Sequence, residues 1–305
     1  MKIVVFGSIN MDLTAYSQTL PKPGETIRGD SYITVPGGKG SNQAVAAARL
    51  GADVQFFGRV GDDLFGQQVL KTVAAENVDV TQVAVDPDTG TGLAVISVDA
   101  DAENVITIIS GANWTLGKED VARAEKCLEN ADVLMLQIEV PLEASLDIAE
   151  RAKQKNVKVI LDPAPAVPLP ASAYQVIDFI TPNETETEIL VGMLPHNEEE
   201  AKQAAAIFHQ RGVQNVIIKM GSKGVYYDTA DDQGFIPPFV VKAIDSVAAG
   251  DAFNAGLAVA IAAGKSVEEA VKWGAAAGAI ATTRKGALPA MPFRSEVETL
   301  LREQG

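Results

Sequence analysis

The chain has almost no cysteine or histidine. With Cys127 alone among 305 residues, no internal disulfide is possible, which suits a reducing, cytoplasmic compartment. The two histidines, His196 and His209, have no Cys or His partner at metal-ligand spacing, so zinc chemistry is not expected. Long apolar runs are missing too: none reaches the ~18 residues of a membrane span. The opening MKIVVFGSIN turns polar too soon for a secretory leader and reads as a first strand. Positive charge is short, with 25 Lys and Arg against 40 Asp and Glu and a net charge of −15. That balance argues against extended nucleic-acid or anionic membrane surfaces. A small polyanion such as a nucleotide is still accessible, because a few N–H groups and local cations suffice to hold it.

The chain is rich in aliphatic residues. Its composition is 47% hydrophobic, over a length that fits one large domain with at most a small appendage. From about residue 111, helical patterns (KEDVARAEKCLENA, LEASLDIAERAKQKN, EEEAKQAAAIFHQRG) alternate with apolar runs (DVLMLQIEV, VKVILDPAP, VIDFITPN, VQNVIIKMG). Buried strands separated by amphipathic helices predict an α/β fold with a central, mostly parallel sheet. The last third reads as helices over 250–263, 266–283 and 293–303. Two early segments, 12–36 and 91–110, read instead as antiparallel β pieces too small to stand alone. They are expected to form a small sheet, a lid or an oligomer contact, on a body of residues 1–11, 37–90 and 111–305.

Several loops carry residue types suited to chemistry. In DSVAAGDAFNAG, Asp251 follows Ala249 and Gly250 at the mouth of a helix. It either caps that helix or works as a base beside N–H groups that hold an anion. PGGKGSNQAVAAARLG brings Gly38, Lys39, Gly40, Ser41 and Asn42 to another helix entry. Gln43 stands where a dinucleotide fingerprint needs its third glycine, and Val259 stands where a Walker loop ending at Gly264-Lys265-Ser266 needs its first. Asn10 and Asp12 follow the first strand, and Glu139 ends a later one, so all three fall at the carboxyl edge where open parallel sheets bind ligands. Asn183 and Glu186 have helical spacing after Pro182, suited to a hydrated divalent cation. KMGSKG and TTRKGALPAMP are polar turns beside these segments.

Together and in this order, these segments resemble the ribokinase-type (phosphofructokinase-B) family of sugar kinases over nearly the whole chain. PGGKGSNQA with GRVGDD resembles its first signature, and DSVAAGDAFNAG its second, with Ser246 and Ala252 where Thr is usual. The resemblance implies a three-layer fold with a β lid that also joins two subunits into a homodimer. It implies a pentose site of Asn10, Asp12, Gly38, Lys39, Gly40, Ser41, Asn42 and Glu139, with Asp251 as base beside the N–H groups of Ala249 and Gly250. ATP contacts fall on Asn183, Lys219, Met220, Gly221, Ser222, Lys223, Gly224, Gly250, Asp251 and Ala275. Mg²⁺ is implied indirectly through Asn183 and Glu186. An activating K⁺ is implied near Asp245, Val247, Ala281, Arg284, Gly286 and Ala290. Ala275 departs from the larger polar residue expected near adenine. The dipole of the late helix is expected to favour ionised Asp251. The implied reaction is phosphorylation of the ribose 5-hydroxyl by MgATP. Deoxyribose, a ketose or a nucleoside are alternative acceptors, and a non-catalytic sugar sensor is the alternative from another class.

Overall fold

The computed structural model describes residues 1–101 and 103–305, which leaves one residue of the predicted 91–110 segment outside the description. A nine-stranded sheet runs through the molecule. Its spatial order is Gln233–Ile236, Val225–Asp228, Asn215–Lys219, Phe179–Ile180, Lys158–Leu161, Val133–Leu136, Lys2–Phe6, Asp53–Phe57 and Val78–Asp79. All neighbours are parallel except in the first two pairings, at the Gln233–Ile236 edge, which are antiparallel. The alternation of helical and apolar segments has this physical basis. Strands covered by helices on both faces are apolar at every position, as in Val133–Leu136, buried throughout.

Because strand side chains alternate, the sheet divides the core in two. Ile3, Val5, Met135 and Ile160 face the helices Lys39–Arg49, Ala249–Ala262 and Val267–Ala281. Val4, Phe6, Leu134, Leu136 and Leu161 face Lys118–Cys127, Leu142–Gln154 and Glu198–Arg211. The chain leaves Lys2–Phe6 toward Asp53–Phe57 on one side and later returns to Val133–Leu136 on the other. The strand order therefore reverses at Lys2–Phe6, and an open α/β sheet has its ligand crevice outside such a reversal.

The two early β segments do join into a second sheet, ordered Ser31–Gly37, Asn10–Tyr16, Gly92–Val98 and Asn104–Ile109. Its first and last pairings are antiparallel and its central one parallel. Asn10 opens a strand of this sheet, so the Asn10–Asp12 pair belongs to the small sheet and not to a loop of the body. Glu139 lies three residues past the end of Val133–Leu136, because the strand is shorter than its apolar run. The capping reading of Asp251 does not hold. Ala248, at φ +58°, is the N-cap of Ala249–Ala262, and Asp251 sits inside the first turn.

Candidate active site

Two helix entries and one strand end meet above the strand reversal. The Lys39–Arg49 helix starts from Gly38, whose φ of +88° no L side chain adopts comfortably. A Cβ there would also lie 2.8 Å from the Asn10 nitrogen. Next to it, a Cβ on Gly37 would lie 2.2 Å from Asp12 Oδ2, so the glycines open the space that the Asp12 carboxylate occupies. Glu139 binds this entry: its Oε2 accepts from the Lys39 N–H at 3.0 Å and from Ser8 Oγ at 2.5 Å. A carboxylate at the start of a helix satisfies a free donor and complements the helix dipole. The Ser41 hydroxyl turns back onto the Gly37 and Gly38 carbonyls.

Asp251 is 4% exposed. Its Oδ2 accepts from Asn42 Nδ2 at 2.9 Å and its Oδ1 from Gln43 Nε2 at 3.1 Å. The Gly250 and Asp251 N–H groups find no acceptor among the described residues, while the Ala249 N–H reaches Ser246 O at 3.3 Å. A helix start with free N–H groups is an anion site. The dipole does not hold the pKa of Asp251 down, although a carboxyl near 6 is still mostly ionised at neutral pH. Burial, with Asp162 adding to it, pushes Asp251 up to about 6, against the opposing pull of Lys39, Asn42 and Gln43. Asp12 is likewise pushed up to about 6, by burial and then by Glu139 and Asp251. Burial works against the Lys39 ammonium, but Asp251, Asp162, Glu139 and Glu186 outweigh it and hold its pKa above the usual value.

A cleft of about 830 Å³ adjoins Asp251. Lys39, Asn183, Glu186, Lys219, Gly221, Ser222, Gly224, Ala249, Gly250 and Ala275 line it, with Pro237 to Val241 and Phe253 forming an apolar wall. Asn183 and Glu186 form a reciprocal capping box. Asn183 Oδ1 accepts from Glu186 N at 2.8 Å, and Glu186 Oε2 accepts from Asn183 N at 2.7 Å. Burial, then Asp162, raises the Glu186 pKa against Lys219. Below the cleft, Asp245 accepts from Val247 N at 3.0 Å and Gly286 N at 2.9 Å, which ties together the two loops. Ala281 and Ala290 are buried there.

This arrangement is a buried carboxylate between a polar corner of Asn10, Asp12 and Glu139 and a cleft that offers Lys39, Lys219 and free helix-start N–H groups to an anion. The pattern of the pfkB family carbohydrate kinases matches residues 1–294. The chain belongs to that family. It is 43% identical to a ribokinase of Haemophilus influenzae over 96% of each chain, and 38% identical to a deoxyribokinase of Salmonella typhimurium over 96% of each. The structure of Arabidopsis thaliana ribokinase complexed with ribose and ATP superposes with a TM-score of 0.91, at 36% identity and 98% coverage of both chains.

Most of the residues expected from the family signatures come together here. Asn42 and Asp251 touch, Lys39 and Glu139 touch, and Asn10 is held by Asn113. Two side chains of the expected ATP turn point away from the cleft, and the Arg284 side chain turns from the cation loops, where the resemblance implies contact largely through backbone carbonyls. Met220 is packed in the core, Lys223 reaches outward to Glu184 at 2.7 Å, and the Arg284 guanidinium turns to Glu296. For Met220 and Arg284 this leaves the backbone as the available contact. Sequence reasoning missed Asp162, Gln43 and Asn113. Asp162 follows Lys158–Leu161 directly, so the strand-end rule that singled out Glu139 applied equally to it. Asn113 accepts from Ile9 N at 2.8 Å and donates to Asn10 Oδ1 at 2.7 Å, and no local pattern marks such a residue.

Proposed function

We propose that this chain is an ATP-dependent ribose kinase that converts D-ribose and ATP to ribose 5-phosphate and ADP. The observation that carries the reading is the Asn42–Asp251 hydrogen bond, which joins the glycine-turn corner to the base beside the cleft. Ribose lies among Asn10, Asp12, Gly38 to Asn42 and Glu139. The Asn42 Oδ1 is buried without a donor partner and is suited to accept from a sugar hydroxyl. ATP lies in the adjoining cleft along Asn183, Lys219 to Gly224, Gly250 and Ala275, its base against the apolar wall.

Asp251 accepts the proton of the 5-hydroxyl as that oxygen attacks the γ-phosphorus and the bond to the bridging oxygen of ADP breaks. The Gly250 and Asp251 N–H groups, with Ala249 at their edge, stabilise the charge on the transferring group. Lys39 faces the same carboxylates and limits their mutual repulsion. Small residues at 248–250 fit because longer side chains would fill the phosphate path.

The residues present fit both implied cations. Glu186 keeps one carboxylate oxygen outside its capping bonds, and Asn183 anchors that turn, so the two suit waters of Mg²⁺, which neutralises phosphate charge when bound. The loops tied by Asp245, with Val247, Ala281, Arg284, Gly286 and Ala290, suit K⁺ through backbone carbonyls and fix the shape of the anion loop. The small sheet closes over the sugar and pairs two copies of the chain. No helix is long and apolar enough to cross a membrane among the described residues, and the need for ATP fits a cytoplasmic setting. The deciding experiment is ADP release across pentoses, hexoses and nucleosides with Mg²⁺ and K⁺. The highest kcat/KM is expected with ribose. A higher value with deoxyribose or a nucleoside reassigns the acceptor, and no release with any sugar rejects the kinase reading.

A further inference from the structure

Asp162 has no task in the scheme above, yet it is buried at the centre of the site. Its side chain is 2% exposed, and both oxygens are engaged. Oδ1 accepts from Lys219 Nζ at 2.9 Å, and Oδ2 accepts from Gln43 Nε2 at 3.1 Å. The same Gln43 Nε2 donates to Asp251 Oδ1 at 3.1 Å, and Gln43 Oε1 accepts from Gln137 Nε2 at 2.7 Å. The two carboxylates and the Gln137 donor therefore fix which way the Gln43 amide faces. The Lys219 ammonium lies beside the anion loop: a Cβ on Gly250 would be 3.5 Å from its Nζ.

We propose that Asp162 is a positioning residue for phosphoryl transfer. One oxygen holds Lys219 beside the Gly250 backbone, where the terminal phosphates pass. The other holds the Gln43 amide that aims the Asp251 carboxylate at the sugar. One buried carboxylate thus sets the geometry on both sides of the reacting atoms, and this role rests on the kinase reading. Its charge acts as well. Asp251 is faced by Lys39 from the glycine-turn helix, by Asp162 from the strand end, by Asp12 from the small sheet, and by the neutral amides of Asn42 and Gln43. Lys219 approaches from beside Gly250. The charge of Asp162 favours the protonated form of Asp251.

Asp162→Asn tests this. The new amide presents a donor to either Gln43 or Lys219, so the Gln43 amide loses its fixed orientation while shape is retained. Three quantities are measured: kcat, the affinity for Mg²⁺-free ADP by calorimetry, and the titration midpoint of the Asp251 carboxyl by ¹³C NMR, assigned with Asp251→Asn. The expected result is a kcat lower by about tenfold to a hundredfold, the usual effect of a small misalignment. The Asp251 midpoint moves to lower pH, and ADP affinity is retained, since Lys219 keeps its charge. An unmoved midpoint overturns the proposal, as does a joint loss of kcat, ADP affinity and sugar affinity, which marks a scaffold defect. The NMR and calorimetric results do not depend on which sugar is phosphorylated, so they stand apart from any failure of the ribose assignment. Should Asp162→Asn not fold, Gln43→Met removes the bridge at similar volume. It should raise the Asp251 midpoint and lower kcat with ADP affinity unchanged, and wild-type values of both midpoint and kcat overturn the proposal.

Discussion

Asn42 Nδ2 donates to Asp251 Oδ2 at 2.9 Å, across 209 positions of chain. Both residues stand in the first turn of a helix, Lys39–Arg49 and Ala249–Ala262. Two positive helix ends therefore converge on one buried carboxylate, which combines charge complementarity with a low local dielectric. The early glycine turn and the late Ala-rich helix thus meet at a single carboxylate.

Removing the base should cost turnover and spare binding. Asp251→Ala is expected to lower kcat by ~10²–10⁴, the range of a lost general base. Ribose affinity, measured by calorimetry, should change little, since Asn10, Asp12 and Glu139 remain. Turnover near wild type would remove Asp251 from its role.

Activity should fall on the acid side with a midpoint near the raised pKa of Asp251, about 6, because the protonated carboxyl accepts no proton. Stability runs the other way. Asp251 and Asp12, both raised to about 6 from 3.8, bind protons more tightly folded than unfolded. Their contribution is fully present below the unfolded value and is lost as pH rises through about 6. The melting temperature of the wild type, relative to Asp251→Asn, should therefore decline between those two values. A kcat that rises as pH drops below 6 would contradict the assignment.

Gly37→Ala should weaken sugar binding selectively. The added Cβ would meet Asp12 Oδ2 at 2.2 Å, so the carboxylate must move off its place. Loss of a charged hydrogen bond of about 1.5–3 kcal/mol corresponds to ribose affinity roughly tenfold to a hundredfold weaker, with ADP affinity unchanged. Equal ribose affinity in the variant would place Asp12 outside the sugar site.

The parallel body was legible because strands buried on both faces and Ala-rich helices leave continuous, periodic patterns. The glycine turn, Asp251 and the Asn183–Glu186 pair were legible because backbone exposure and capping need particular residues at fixed spacing. Gln43 and Asn113 were not, because their roles arise from hydrogen bonds to residues as many as 208 positions away, and nothing local marks them; Asp162 carried the same strand-end signal as Glu139, but its partners Gln43 and Lys219 are set by the tertiary fold. The raised pKa of Asp251 was not legible for a related reason. Its helix end is written in the sequence, but its burial comes from the tertiary fold.

Monovalent cation dependence should follow from Asp245. K⁺ is expected to raise kcat over a bulky organic cation such as tetramethylammonium, and Asp245→Ala should abolish that difference, because its carboxylate holds the Val247 and Gly286 N–H groups together. Equal rates with either cation in the wild type would reject the site.

The small sheet should pair two copies of the chain. Asn104–Ile109 is exposed along its whole length, and it forms an edge of the four-stranded sheet. An exposed apolar edge strand invites pairing unless something covers it. Ile106 and Ile108 share one face by the two-residue period, 53% and 58% exposed, and stand opposite Ile96 and Ala94 in the sheet. A second copy laid on this face would shield these side chains and steady the strand that carries Asp12. Light scattering should find the wild type dimeric and the Ile106→Lys, Ile108→Lys double variant monomeric. Because the same sheet carries Asn10 and Asp12, proposed to bind the sugar, the monomer should also show a raised KM for ribose with the KM for ATP little changed. A monomeric wild type, or a double variant that stays dimeric, would move the subunit contact to another surface.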